Sequence, residues 1–243
     1  MAKWFIAVIC VLLLNRTMGQ SPDSAKYSLH YAATGIINNT QSTSSHVFNQ
    51  VLQTEFNKSK FALTTFASWI YGRQNRQQSN NDFSSAVDLN YRFSNTRLVA
   101  WTLGTFDKSY SLKLNHRFQF GSGLSYDLIA NDKMRINISD GILHETSSLK
   151  LSDSVDDRYS TWRNSFRLKY RFTFGSIFSI NGLHFLQNSF ALQEDYIIKT
   201  NVAFSLKLYK WLSFTTALTY NKLNRLKTEN TLVTLGLSVD HKF

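Results

Sequence analysis

The chain has 243 residues, with 27 Lys and Arg against 16 Asp and Glu, a formal charge of +11 and an aromatic share of 14%. A single cysteine excludes a disulfide scaffold and a thiolate metal centre. No stretch beyond the N-terminus approaches the roughly eighteen continuous apolar residues of a spanning helix, which excludes helical spanning but leaves a spanning β-barrel open.

The chain opens Met1-Ala2-Lys3-Trp4, runs through an apolar segment from Phe5 to Leu14, and reaches small residues at Thr17 and Gly19. A basic start, a short apolar core and small residues before a polar stretch read as a secretory signal over residues 1–19, cleaved after Gly19. Residues 20–26 are then a short periplasmic leader, and 27–243 a single domain. Cys10 lies in the apolar run, and Ala7-Val8-Ile9 before it lack the small pair expected before a lipidated cysteine. Taking nineteen residues from 243 leaves 224, and losing Lys3 and Arg16 lowers the charge from +11 to +9. Such an excess suggests nucleic acid or an anionic surface. Here the basic residues alternate with apolar ones along strands, and an exported chain rarely meets nucleic acid.

In chain order, Tyr27, Leu29, Tyr31 and Ala33 alternate with polar or small residues, and a polar loop over 35–45 follows. A weaker strand over 46–57 turns at Asn57-Lys58-Ser59. Phe61, Leu63, Ala67, Trp69 and Tyr71 mark a third strand, and residues 73–82, without an apolar side chain, read as a long exposed loop. Val87, Leu89, Tyr91 and Phe93 lead to a turn at Asn95, and 97–106 is a less regular fifth strand. Tyr110, Leu112, Leu114, Phe118 and Phe120 continue into Gly121-Ser122-Gly123-Leu124-Ser125-Tyr126, where the glycines are either a turn or a feature inside one long strand.

Beyond a turn at Asn131-Asp132-Lys133, a strand runs from Met134 to about Glu145, and 146–159 reads as a polar loop. The strand over 160–174 is the clearest. Trp162, Phe166, Leu168, Tyr170, Phe172 and Phe174 share one face, broken only by Asn164, while Arg163, Ser165, Arg167, Lys169, Arg171 and Thr173 share the other. A period of two over so many residues, with aromatics at both ends, suits a tilted strand crossing an outer membrane. Gly175-Ser176 turns into 177–186, a polar loop spans 187–195, and strands over 196–208 and 212–220 meet at Tyr209-Lys210. A basic loop over 221–230 precedes the last strand, with Leu235, Leu237, Val239, His241 and Phe243 on one face. A terminal Phe243 after alternating Leu235, Leu237 and Val239 resembles the insertion signal of bacterial outer-membrane barrels.

Such barrels join strands by short periplasmic turns and longer outer loops, and have an even count when both ends face the periplasm. Outer loops near 35–45, 73–82, 107–109, 146–159, 187–195 and 221–230 interleave with turns near 58, 95, 132, 175 and 209 only if Gly121 to Tyr126 stays within one strand. The expected fold is all-β, a single antiparallel transmembrane barrel of about twelve strands. The polar loop after the first strand, the Gly121-x-Gly123-Leu124-x-Tyr126 stretch before a tight turn, and the closing Gly236-Leu237-Ser238-Val239 to Phe243 make the chain similar to the salt-induced outer membrane proteins, a bacterial family of unassigned function. That resemblance spans most of 27–243 and implies a small outer-membrane barrel.

Arg92, Lys113, Arg117, Arg163, Arg167, Lys169, Arg171, Lys199 and Lys207 fall on the inner side of their strands, with Asp88, Asp127 and Asp240 as candidate partners. Two readings stand: an ion-pair network filling a closed barrel, or a narrow lumen preferring anions. Trp69, Tyr71, Tyr91, Phe93, Trp162, Phe172, Phe174 and Trp211 are candidate girdle residues at the membrane interfaces. No histidine spacing matches a metal motif, so neither metal nor cofactor is expected. His144-Glu145, beside a Ser-rich stretch, could serve as base and orienting acid of a lipid hydrolase, and a secreted soluble β-protein binding an anionic ligand is a further alternative. The expected partners are outer-membrane lipids, lipopolysaccharide at the basic outer loops, and the barrel-assembly machinery, around a monomer.

Overall fold

The computed structural model describes residues 26–40, 42–152 and 155–242. The expected signal over 1–19, all but the last residue of the expected leader, and Phe243 of the expected insertion signal lie outside the described residues. The described chain forms twelve strands: β1 (Tyr27–Asn39), β2 (Ser44–Lys58), β3 (Phe61–Gln74), β4 (Gln77–Arg92), β5 (Leu98–Ser109), β6 (Leu114–Ala130), β7 (Met134–Lys150), β8 (Asp156–Phe174), β9 (Phe178–Ser189), β10 (Tyr196–Lys207), β11 (Leu212–Leu223) and β12 (Thr228–Lys242). Each pairs antiparallel with its neighbours in sequence, and β1 pairs with β12 to close the barrel. Closure removes the edges that an open sheet would expose to lipid.

Alternation sorts the side chains. Along β8, Trp162 and Phe166 lie outside and exposed, while Arg163 and Arg167 lie inside and buried. The exterior is an apolar belt, broken on β7 and β8 by Asp140 and Asn164, and it ends in two aromatic rings. At the end holding both termini, Tyr27 packs on Phe56, Phe61 on Tyr91, Tyr91 on Phe93, Tyr170 on Phe172, Phe174 on Phe178, and Tyr209 on Trp211. At the other end Trp69 meets Tyr71, Phe106 meets Phe118, and His144 meets Trp162. The candidate girdle residues divide accordingly, with Trp69, Tyr71 and Trp162 at the outer end and Tyr91, Phe93, Phe172, Phe174 and Trp211 at the inner. Leu235, Leu237 and Val239 share the outward face of β12.

The outer connections are shorter than the sequence reading placed them. Residues 73–82 are not a loop: β3 and β4 continue to a two-residue turn at Asn75 and Arg76, with φ of 49° and 66°. That is the left-handed pair of a tight hairpin. The stretch 107–109 belongs to β5, with the connection at 110–113, and β7 and β8 extend into 146–159, leaving only 151–155 between them. The cause is height. Tilted by about 40°, a strand climbs about 2.5 Å per residue, so the 19 residues of β8 overreach an apolar band of about 25 Å. Strand beyond the bilayer no longer needs an apolar face, so its polar composition imitates a loop.

Gly121 and Gly123 remain inside β6, and their role is close approach. Gly123 faces Gly141 of β7 across the ladder, and a Cβ on either would lie within 2.5 Å of the Trp101 indole. The two glycines form a flat seat on the inner wall for Trp101, only 3% exposed.

Candidate functional site

The inward faces converge on the lumen, and the outer half of it is filled. Glu145 of β7 accepts bonds from Arg163 Nε at 2.8 Å and Nη2 at 3.0 Å, from Gln119 Nε2 at 2.6 Å, Ser147 Oγ at 2.9 Å and Tyr159 Oη at 2.8 Å. Arg163 Nη2 also donates to Asp195 Oδ1 at 2.8 Å, and both Arg163 and Glu145 are fully buried. A second cluster sets Arg117 and Lys199 on Asp107 Oδ2, at 3.2 and 2.8 Å. With Arg225, which reaches Asp195 Oδ2 at 3.4 Å and Asp157 Oδ2 at 2.8 Å, four cations thus face four carboxylates, and the cluster is charge-balanced. Charges this deep are tolerated only when paired and hydrogen-bonded.

Several contacts cross the barrel. Lys199 and Asp107 stand on β10 and β5, five strands apart in a ring of twelve; Arg167 of β8 reaches Asp88 of β4 at 2.8 Å. The Arg167 guanidinium lies over Trp101, 5.4 Å from the ring centroid, and Gln119 donates to Gln187 at 2.8 Å. These struts act from opposite walls and close the bore at mid-height, with Trp101, Leu103 and Leu143 as an apolar patch between them. Gly141→Val should push Trp101 off its seat and lower barrel stability by about 1–3 kcal/mol. Denaturant unfolding in detergent, read by tryptophan fluorescence, checks this, and an unchanged midpoint would refute the seat.

The outer mouth is capped by the β5–β6 connection at 110–113, which folds inward. Leu112 packs with Leu114, Leu149, Ile197 and Leu223, drawn from β6, β7, β10 and β11. Asp82 holds this turn, accepting Ser109 Oγ at 2.8 Å, Ser111 N at 3.0 Å and Ser111 Oγ at 2.7 Å. From the far side Asn230 Nδ2 donates to Ser111 Oγ at 3.0 Å. Arg225, in the outer turn before β12, donates to Asp157 at 2.8 Å, and this hydrogen bond raises its pKa.

The inner half is different. Lys169, Arg171, Arg92 and Lys207 lie on inward registers of their strands and are exposed. Arg92 bonds Asp127 at 2.8 Å and Arg171 donates to Asn181 at 2.9 Å; Lys169 and Lys207 make no direct ion pair among the described residues. The lumen is a cup, sealed outside and open to water at the termini end, with a basic wall. Of the nine basic positions, Lys113 is not on this wall: it sits exposed in the 110–113 turn with φ of 54°. The bulge between β5 and β6 shifts the register there, which strict alternation could not reveal. Asp240 bonds His30 at 2.7 Å across the β1–β12 seam. Glu145, Asp107 and Asp195 anchor the lumen without belonging to any motif, although the parity of β7 and β5 places the first two inside.

His144 and Glu145 cannot form an acid–base pair. Adjacent strand residues point to opposite faces, so Glu145 is buried in the lumen while His144 lies on the outside. What His144 does meet is Ser160, whose Oγ is 2.9 Å from Nε2.

The sequence pattern of the family described as "Protein of unknown function, DUF481" matches residues 32–240. The chain belongs to this family. No curated protein matches the sequence. Among solved structures, the NanC porin is similar at 12% identity and a TM-score of 0.51, over 86% of this chain and 98% of that one. An outer membrane channel from Pseudomonas putida F1 is 11% identical over 93% of this chain and 100% of that chain, at a TM-score of 0.48. The KdgM porin is 11% identical over 87% and 98%, at 0.45. The likeness to NanC shows the fold, a closed antiparallel β-barrel of the porin type. In this DUF481 barrel, the matched span holds the whole lumen network, the Trp101 seat and the capping turn.

Proposed function

We propose that this DUF481 barrel is a gated conduit for small anions across the bacterial outer membrane, closed in the form described. The reading is carried by the contrast within the lumen: a charge-balanced outer plug above an exposed basic cup bearing Lys169, Arg171 and Lys207. Rings of Lys and Arg favour anions in a narrow pore. Arg117 Nη1, buried without an acceptor among the described residues, adds a donor that an entering anion would satisfy. The apolar belt speaks against a soluble secreted protein, because so wide an exposed surface would drive association in water. A stress-related role, as the resemblance to salt-induced proteins suggests, fits a conduit that is normally shut. Insertion by the barrel-assembly machinery through β12, lipopolysaccharide around the basic outer rim, and a monomeric state complete the proposal.

Single-channel recording of the refolded protein in planar bilayers under a salt gradient tests it. Wild type should be mostly silent, with rare openings whose reversal potential reports anion preference. Lys169→Glu with Arg171→Glu should move that potential toward cation preference while leaving opening frequency unchanged. Openings with the same potential in both proteins would discard the anion conduit.

A further inference from the structure

One wall of the exterior breaks the apolar pattern. On the outward faces of β7 and β8, Asn164 Nδ2 donates to Asp140 Oδ1 at 2.8 Å, and toward the outer end Ser160 Oγ meets His144 Nε2 at 2.9 Å. The His144 ring stands edge-on to Trp162, with centroids 4.9 Å apart, at the level of the outer aromatic ring. Beside it is a groove of about 400 Å³ lined by Val87, Phe106, Phe118, Phe120, His144 and Thr146, with Gly104 leaving space between β4 and β6. Two residues above Ser160 on the same face stands Arg158, its side chain 78% exposed and 3.9 Å from Asp156.

We propose that Ser160 and His144 are the nucleophile and base of an esterase site that cleaves an acyl ester of an anionic lipid in the outer leaflet. The proposal rests on the membrane placement of the barrel and is independent of conduction. Each part of a lipid finds a counterpart: the chain lies in the aromatic groove, the ester at the interface by Trp162, and the anionic headgroup above it at Arg158. Ser160 Oγ attacks the ester carbonyl carbon as His144 Nε2 accepts the hydroxyl proton. The tetrahedral oxyanion collapses, the C–O bond to the lipid alcohol breaks, and the departing oxygen takes the proton from His144. An acyl ester on Ser160 remains. Water, giving a proton to the same nitrogen, attacks that ester, releasing the fatty acid and restoring the serine hydroxyl.

The refolded full chain is treated with a fluorophosphonate probe, which labels serine hydroxyls activated by a base. In parallel it is mixed with phosphatidylglycerol or phosphatidylcholine vesicles, and released fatty acid is measured. Heat-modifiable gel migration verifies that each variant is a folded barrel. The label should map to Ser160, and Ser160→Ala should abolish label and release. His144→Gln should lower both by about a hundredfold or more. Phosphatidylglycerol should be cleaved faster than phosphatidylcholine, with the difference lost in Arg158→Ala. A folded wild type that neither takes the label nor releases fatty acid overturns the proposal, as does release that persists in Ser160→Ala. Equal cleavage of the two lipids by wild type overturns the assignment of an anionic substrate.

Discussion

Glu145→Ala should cost the barrel about 3–5 kcal/mol of unfolding free energy, the usual loss when one partner of a buried ion pair is removed. The carboxylate accepts five hydrogen bonds from four residues, and its removal leaves the Arg163 guanidinium, 0% exposed, with Asp195 as its one acidic partner. Gln119 and Tyr159 lose acceptors as well. Urea titration in micelles, followed by the gel mobility of folded and unfolded forms, gives the number directly. A loss under about 1 kcal/mol, the range of exposed pairs, would mean that water reaches this cluster and that it does not seal the bore.

Asp82→Ala should free the capping turn while leaving the wall intact. It removes three hydrogen bonds to the turn, two from Ser111 and one from Ser109, each to a charged acceptor. At about 1.5 kcal/mol apiece, reduced for partial exposure, the turn loses roughly 3 kcal/mol, about a hundredfold in its opening equilibrium. The whole sequence has one cysteine, so with Cys10 replaced by Ser a Leu112→Cys probe is clean. Its reaction with a membrane-impermeant maleimide should accelerate about a hundredfold in the Asp82→Ala background. Channel openings should become more frequent in step. Equal labelling rates in both backgrounds would show that Asp82 does not hold the turn.

The strand count was legible because the bilayer enforces alternation: β8 displays it over most of its length, and the interleaving of turns decided the place of Gly121 to Tyr126. Where lipid stops, that constraint stops too, which is why the β3–β4 hairpin over 73–82 passed for a loop. Parity also placed Arg163 and Arg167 inside. It could not pair them, since Arg163 takes one of its acids from the β9–β10 connection, at Asp195, and Lys199 finds Asp107 across the bore. Register bulges escaped as well, and with them the exit of Lys113 from the wall. Asn164, the one break in the aromatic face of β8 between Trp162 and Phe174, was the visible trace of an outward polar wall whose other members, Asp140, His144 and Ser160, carry no motif.

The two halves of the lumen answer differently to ionic strength. Counterions cannot approach Arg163 or Glu145, each 0% exposed, so salt screens their attraction much less than that of exposed charges. The cup around Lys169 and Arg171 is wet, and its field shrinks from a reach of about 10 Å at 0.1 M to about 3 Å at 1 M. In the proposed conduit, rising ionic strength would therefore erase the preference for one sign of ion long before it loosens the packed outer half.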